Sequence, residues 1–94
     1  MTAGEAALAI ARDHPAYAGH FPGRPILPGV VLLAEVMAAV GGGPWDVSQA
    51  KFLGVVEPGD ALSLRREPQS SGGVRFEVHS PRGLVASGVL VPRP

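Results

Sequence analysis

Residues 29–40, GVVLLAEVMAAV, constrain the fold more than any other part of this sequence. Pro28 precedes the segment and three glycines begin at Gly41, which is the arrangement that starts and ends a helix. Every residue in 30–40 is apolar except Glu35. A helix that is apolar all round is buried all round. We therefore expect a curled antiparallel sheet, a second subunit, or both to surround it.

Five other segments have the patterns of β-strands. Residues 74–79 alternate apolar and polar side chains, as a strand with one covered face does. The complete set of predicted strands is 5–13, 47–56, 61–67, 74–79 and 84–91. Short turns rich in proline and glycine separate the last four strands, so residues 47–91 are predicted to form a meander. These elements predict an α+β fold in a single domain spanning residues 1–94.

Composition excludes several classes of function. The formal net charge is zero, whereas nucleic-acid-binding modules carry a basic excess, so we expect no nucleic-acid partner. The chain has no cysteine and three scattered histidines, and we predict no metal site and no cofactor. The longest apolar run is far too short to span a bilayer, and no basic residue precedes the apolar stretch near the N-terminus. We therefore expect a soluble cytoplasmic protein without a membrane partner.

The segment before the helix carries the residues that could act in catalysis or binding. Three prolines fix the backbone of GHFPGRPILPGV, and a stiff loop of this kind holds a side chain in place. His20 is that side chain, and an imidazole with a pKa near neutrality is a plausible general base. The first amides of the helix, at Gly29, Val30 and Val31, lack intrahelical acceptors and form a ready site for a carbonyl oxygen or an oxyanion.

The run GHFPGRPILPGVVLLAE resembles the signature of the hot-dog-fold β-hydroxyacyl-acyl-carrier-protein dehydratases. The later segment KFLGVVEPGDAL resembles the part of the same family in which a strand ends at a PGD turn. The resemblance spans roughly residues 14–91. It implies a curved antiparallel sheet wrapped around one long central helix, in homodimers or higher even oligomers whose sheets join edge to edge. It also implies a phosphopantetheine-linked acyl substrate carried on acyl carrier protein.

The resemblance assigns roles to particular side chains. His20 takes the α-proton of a 3-hydroxyacyl thioester, and the amide of Gly29 binds the thioester carbonyl. Phe21 and Val30 are the other expected substrate-binding residues. Arg24, in the same loop, is the better candidate for an acidic carrier protein or its phosphate. Arg65 and Arg66 are the other candidates for this contact, but arginines at the end of a strand are more often exposed to solvent than bound to a partner.

The acid of the family comes from the central helix of the partner subunit. It lies fourteen residues after the histidine, where this chain has Ala34, and Glu35 follows it. One residue is about 100° around a helix, so Glu35 replaces that acid only with a local shift. We expect Glu35 to be the catalytic acid or a carboxylate at an interface paired with an arginine. The function expected is a 3-hydroxyacyl-thioester dehydratase, with a hot-dog acyl thioesterase or a non-catalytic acyl-binding partner subunit as alternatives.

Overall fold

A computed structural model describes residues 4–17 and 25–94 of the chain. It has one α-helix and five strands among these residues, with a single 3-10 turn at Pro15–Tyr17. The helix α1 occupies Gly29–Val40, as the sequence predicts. The strands are β1 (Gly4–Leu8), β2 (Trp45–Phe52), β3 (Leu62–Pro68), β4 (Val74–Ser80) and β5 (Gly83–Pro92).

The five strands form one antiparallel sheet in the order β1-β3-β4-β5-β2. The last three strands in sequence are a meander, as predicted. The prediction that the meander extends back to residue 47 is wrong, because β2 pairs with β5 rather than with β3. Residues 53–61 instead cross from one edge of the sheet towards the other. This places β2 at the edge opposite β1.

Two predicted strands are shorter than expected. β1 stops at Leu8, which lies opposite Leu62, the first residue of β3, so the remainder of the predicted strand 5–13 has nothing to pair with. β2 stops at Phe52, and the next residues leave the sheet. Val56, which the sequence assigned to this strand, accepts a hydrogen bond from the amide of Leu27 at 2.9 Å, just before the helix.

The core lies between the sheet and one side of α1. Leu32, Val36 and Val40 are buried at helical spacing, and they face apolar side chains from the sheet. The fully buried side chains from the sheet are Val74, Phe76, Val78 and Leu90.

The sheet of one chain does not surround α1, and the second subunit, the other cover that the sequence predicts, stays a prediction. Val30 is 75% exposed, and Ala34 and Ala38, one and two turns later, are also exposed. A five-stranded sheet reaches only one side of a helix, so the opposite stripe of apolar residues remains uncovered. Within the described ranges, no helix is long and apolar enough to cross a membrane.

Candidate active site

The first turn of α1 presents two backbone amides that have no acceptor in the part of the chain that the structure describes. The carbonyl of Pro28 accepts the amides of Val31 and Leu32 at 3.0 and 3.1 Å, and Pro28 has no side chain that caps the helix. Within the described residues, no acceptor bonds the amides of Gly29 and Val30. Because these amides stand at the positive end of the helix dipole, they are suited to bind a carbonyl oxygen that gains negative charge.

The ring of Phe52 covers this helix start. A Cβ added to Gly29 would lie 2.9–3.1 Å from three carbon atoms of the ring, so only glycine fits without displacing it. The ring is still 51% exposed. The sequence alone does not place Phe52 beside these amides. Its position in KFLGVV, inside the second motif, is the signal that could have pointed to it.

Both flanks of the loop that carries the candidate base are anchored. Tyr17 is buried on one side, and Leu27 is buried on the other. Leu27 is also tied to Val56 by its amide hydrogen bond. His20 and Phe21, which the sequence places in the site, lie outside the described residues, as does Arg24.

An ion pair fixes the crossing segment that holds Leu27. The carboxylate of Asp60 accepts the amide of Glu57 at 2.8 Å, as expected for the turn at Pro58, and it also accepts two bonds from the guanidinium of Arg82. The Arg82 hydrogen bonds hold the pKa of Asp60 below its usual value, against the opposing effect of burial. Burial raises the pKa of Tyr17, and the negative charge of Asp60 adds to this.

Glu35 faces a histidine of its own chain. Its Oε1 lies 3.9 Å from Nε2 of His14, and its side chain is 35% exposed. The sequence predicted either the catalytic acid or an interface carboxylate paired with an arginine. Within the chain Glu35 is half-buried beside an imidazole, about 100° around the helix from Ala34. Ala34 itself lies on the exposed stripe, where it contributes a methyl group and no acid.

The exposed stripe of α1 lies beside an open sheet edge. The indole Nε1 of Trp45 donates to the carbonyl of Gly41, after the last turn of the helix, at 2.8 Å, and Phe52 meets its first turn. β2 therefore runs along the whole helix. Among the described strands, none pairs with its outer edge. We call the exposed stripe of α1 together with this edge the open face; its apolar members are Val30, Ala34, Ala38, Val47 and Phe52.

The two arginines of β3 are engaged within the chain. Nε of Arg65 donates to the carboxylate of Glu5 at 3.1 Å on the outer side of the sheet. Nη1 of Arg66 donates to the carbonyl of Ala39 at 3.2 Å, near the end of α1. In the described part of the chain, no group of three or more histidine, aspartate and glutamate side chains is placed to hold a metal ion.

Comparison with known proteins identifies similar sequences. The model of the ApeI-like family, described as ApeI dehydratase, matches residues 2–89. The 3-hydroxyacyl-acyl-carrier-protein dehydratase FabZ of Syntrophotalea carbinolica is 39% identical over 74 residues, which are 63% of this chain and 50% of that protein. The FabZ of Chlamydia trachomatis is 39% identical over 70 residues, or 58% of this chain and 46% of that protein. The chain thus spans about half the length of the curated relatives it matches.

Two solved structures have similar folds. The dehydratase heterocomplex ApeI:P from Xenorhabdus doucetiae matches with a TM-score of 0.79 and 22% identity, covering 95% of this chain and 85% of that one. An uncharacterized protein from Erwinia carotovora matches with a TM-score of 0.73 and 26% identity, covering 98% of this chain and 91% of that one. These matches confirm the predicted arrangement of an antiparallel sheet and one helix.

Proposed function

The chain belongs to the ApeI-like dehydratase family, and we propose that it removes water from 3-hydroxyacyl thioesters. The predicted α+β hot-dog fold is confirmed. The single observation that carries the proposal is the start of α1, where two amides without protein acceptors among the described residues lie beside an exposed apolar ring. A thioester needs a donor for its carbonyl and an apolar surface for its acyl chain, and this place offers both.

The amides supply the electrostatic part of the reaction. The amide of Gly29, with that of Val30 beside it, binds the thioester carbonyl and stabilises the charge that develops on its oxygen. One donor of this kind contributes about 2.7–4 kcal/mol in comparable sites. The effect makes the α-proton easier to remove. Val30, Phe21 and Phe52 provide the apolar contacts for the acyl chain.

Two side chains move the protons. His20 removes the α-proton, and the electron pair of that C–H bond forms the Cα–Cβ double bond. The Cβ–O bond breaks as the carboxylic acid of Glu35 protonates the leaving hydroxyl, which departs as water. His20 ends the step protonated and Glu35 ends it ionised, so one proton returns through solvent before the next turnover. The products are an enoyl thioester and water.

We propose a homodimer, or a higher even oligomer built from it, assembled through the open face. An apolar helix stripe and an unpaired strand edge are both costly to leave in water. A two-fold pairing of β2 with β2 would cover both at once. It would also bring the partner's helix to the site, which is where the resemblance to the family implies that the acid comes from.

Acyl carrier protein is the proposed carrier of the substrate, as in the names of the FabZ relatives. Arg65 and Arg66 are occupied by contacts within the chain, which favours Arg24 for the phosphate of the carrier's prosthetic group. The proposed location of the protein is the cytoplasm.

A second function is favoured by one observation. Ala34 takes the place of the family's acid and lies on the open face, whereas Glu35 faces His14 of its own chain. This supports a subunit that contributes His20 and the helix amides, and receives its acid from a different hot-dog chain. In that case Ala34→Glu should give the isolated protein dehydratase activity that the wild type lacks. Ala38→Glu, one turn further along the same stripe, is the matched control and should not.

Paired inactive variants test the proposed site. His20→Ala should lower turnover of a 3-hydroxyacyl thioester by about 10²–10⁴-fold with the fold retained, and Glu35→Gln should abolish it. If the base and the acid of one site come from different chains, co-expression of the two variants restores one intact site in each mixed dimer. Random pairing then gives roughly a quarter of wild-type turnover. Wild-type turnover in Glu35→Gln alone would contradict the role of Glu35.

A further inference from the structure

His14 is held in one orientation by its own turn. Its Nδ1 accepts the amide of Ala16 at 3.0 Å. Its backbone amide donates to the carbonyl of Ala11, and its carbonyl accepts the amide of Tyr17, each at 3.0 Å. Because Nδ1 is an acceptor, the proton of the neutral ring is on Nε2. The ring therefore has a fixed tautomer as well as a fixed position.

The protonated nitrogen faces the carboxylate of Glu35. The separation of 3.9 Å between Nε2 and Oε1 is too long for a hydrogen bond. The Glu35 side chain is about one third exposed, so it has room to rotate towards Nε2. Within the described part of the chain, no arginine or lysine forms an ion pair with Glu35. His14 is thus the group placed to control where this carboxylate points.

We propose that His14 is a positioning residue for Glu35. The Nε2–H group holds one carboxylate oxygen, which leaves the other to carry the proton to the leaving hydroxyl. The inference rests on the proposed function, since it concerns the acid of that reaction. In this arrangement His14 and Glu35 of one chain act together in a site whose base is His20 of the partner subunit.

His14→Asn separates the two roles of the ring. The asparagine Oδ1 can accept the amide of Ala16, as asparagine does in turns, but nothing replaces Nε2. We expect kcat to fall by about 10–100-fold, the range for a misplaced catalytic group, with KM and the melting temperature little changed. His79→Asn is the matched control. His79 Nε2 lies 2.9 Å from Oε1 of Glu77 on β4, away from the helix start, so kcat should not change.

Co-expression with the two inactive variants identifies the residue through which His14 acts. If His14 acts on Glu35, the His14→Asn chain regains an intact site when paired with His20→Ala, and turnover rises to roughly a quarter of wild type. Pairing with Glu35→Gln restores nothing, because both changes fall on the same half of the site. If His14 instead acts on the loop of its own chain, the two results exchange.

The remaining outcomes are also decisive. Unchanged kcat in His14→Asn, restoration by Glu35→Gln, or restoration by neither variant overturns the inference while the dehydratase assignment stands. Failure of the proposed function appears elsewhere: the wild-type protein yields no enoyl product, or His20→Ala and Glu35→Gln fail to restore each other. In those cases the positioning role falls as well.

Discussion

Replacing Val30 by aspartate should break the association of the chain without harming its fold. Val30 lies in the first turn of α1, and it is the most exposed large apolar side chain of the open face, at 75%. An aspartate in the first turn interacts favourably with the helix dipole, so the helix itself should form as well as before. The cost of the substitution therefore falls on whatever covers this position.

The magnitude follows from the exposure of Val30. Full burial of a valine contributes about 1.5–3 kcal/mol, so covering the three quarters that one chain leaves exposed contributes about 1–2 kcal/mol. Two-fold symmetry counts the contact twice, giving about 2–4 kcal/mol, or roughly a 30- to 1,000-fold weaker Kd. Burial of two unpaired carboxylates would add to this loss, so the range is a lower bound.

Sedimentation equilibrium over a range of concentrations measures the effect. Ser71→Asp is the control, because it makes the same charge change at an exposed turn between β3 and β4. We expect Ser71→Asp to behave as wild type and Val30→Asp to be monomeric at micromolar concentration, with a cooperative unfolding transition at a lower melting temperature because the stabilisation by the partner subunit is lost. A wild-type monomer at that concentration, or equal Kd values for the two variants, would refute the reasoning.

Three further experiments test other parts of the structure. Gly29→Ala should push the ring of Phe52 off the helix start and lower turnover, and Phe52→Leu in the same chain should recover part of the loss in the enoyl-product assay. Gly88→Ala should destabilise the fold by about 1–3 kcal/mol or more, because the new Cβ would meet the carbonyl oxygen of Gln49; thermal unfolding should show a decrease of about 4–8 °C per kcal/mol, and an unchanged midpoint would contradict the close approach. Because the folded pKa of Asp60 is lowered, its ionised form stabilises the fold above the unfolded pKa of about 3.9, and this stabilisation is lost as pH falls through the folded pKa. Asp60→Asn should therefore flatten the dependence of stability on pH below about pH 4. A dependence as steep as that of the wild type would contradict this expectation.

The helix could be predicted from sequence because its signals are local. Proline before residue 29, glycine after residue 40 and the apolar run between them define Gly29–Val40 without reference to the rest of the chain. The same holds for β3, β4 and β5, whose predicted bounds differ from the observed ones by one or two residues at most. The place of β2 was not predictable in this way, because short turns favour sequential neighbours. Residues 53–61 are instead held by partners distant in sequence, such as Leu27 for Val56 and Arg82 for Asp60.

The candidate site shows a similar division. The motif identifies Gly29, and the helix that follows supplies amides without acceptors among the described residues, so the backbone part of the site follows from local sequence. The surroundings of Glu35 do not, since its neighbour His14 is distant in sequence and meets it only when the turn at Pro15–Tyr17 packs against α1. The place of Phe52 was not predictable for the same reason, because its contact with Gly29 depends on where β2 lies against the helix.

The product that the wild-type protein forms from a 3-hydroxyacyl thioester is the most direct test of the proposed function. Enoyl thioester, followed by its conjugated absorbance, and free thiol, followed with a thiol reagent, are measured in the same reaction, and a saturated acyl thioester serves as the second substrate. We predict enoyl thioester from the first substrate, no free thiol from either, and loss of the product in His20→Ala. Release of free thiol from the saturated substrate would contradict the dehydratase assignment and indicate a thioesterase.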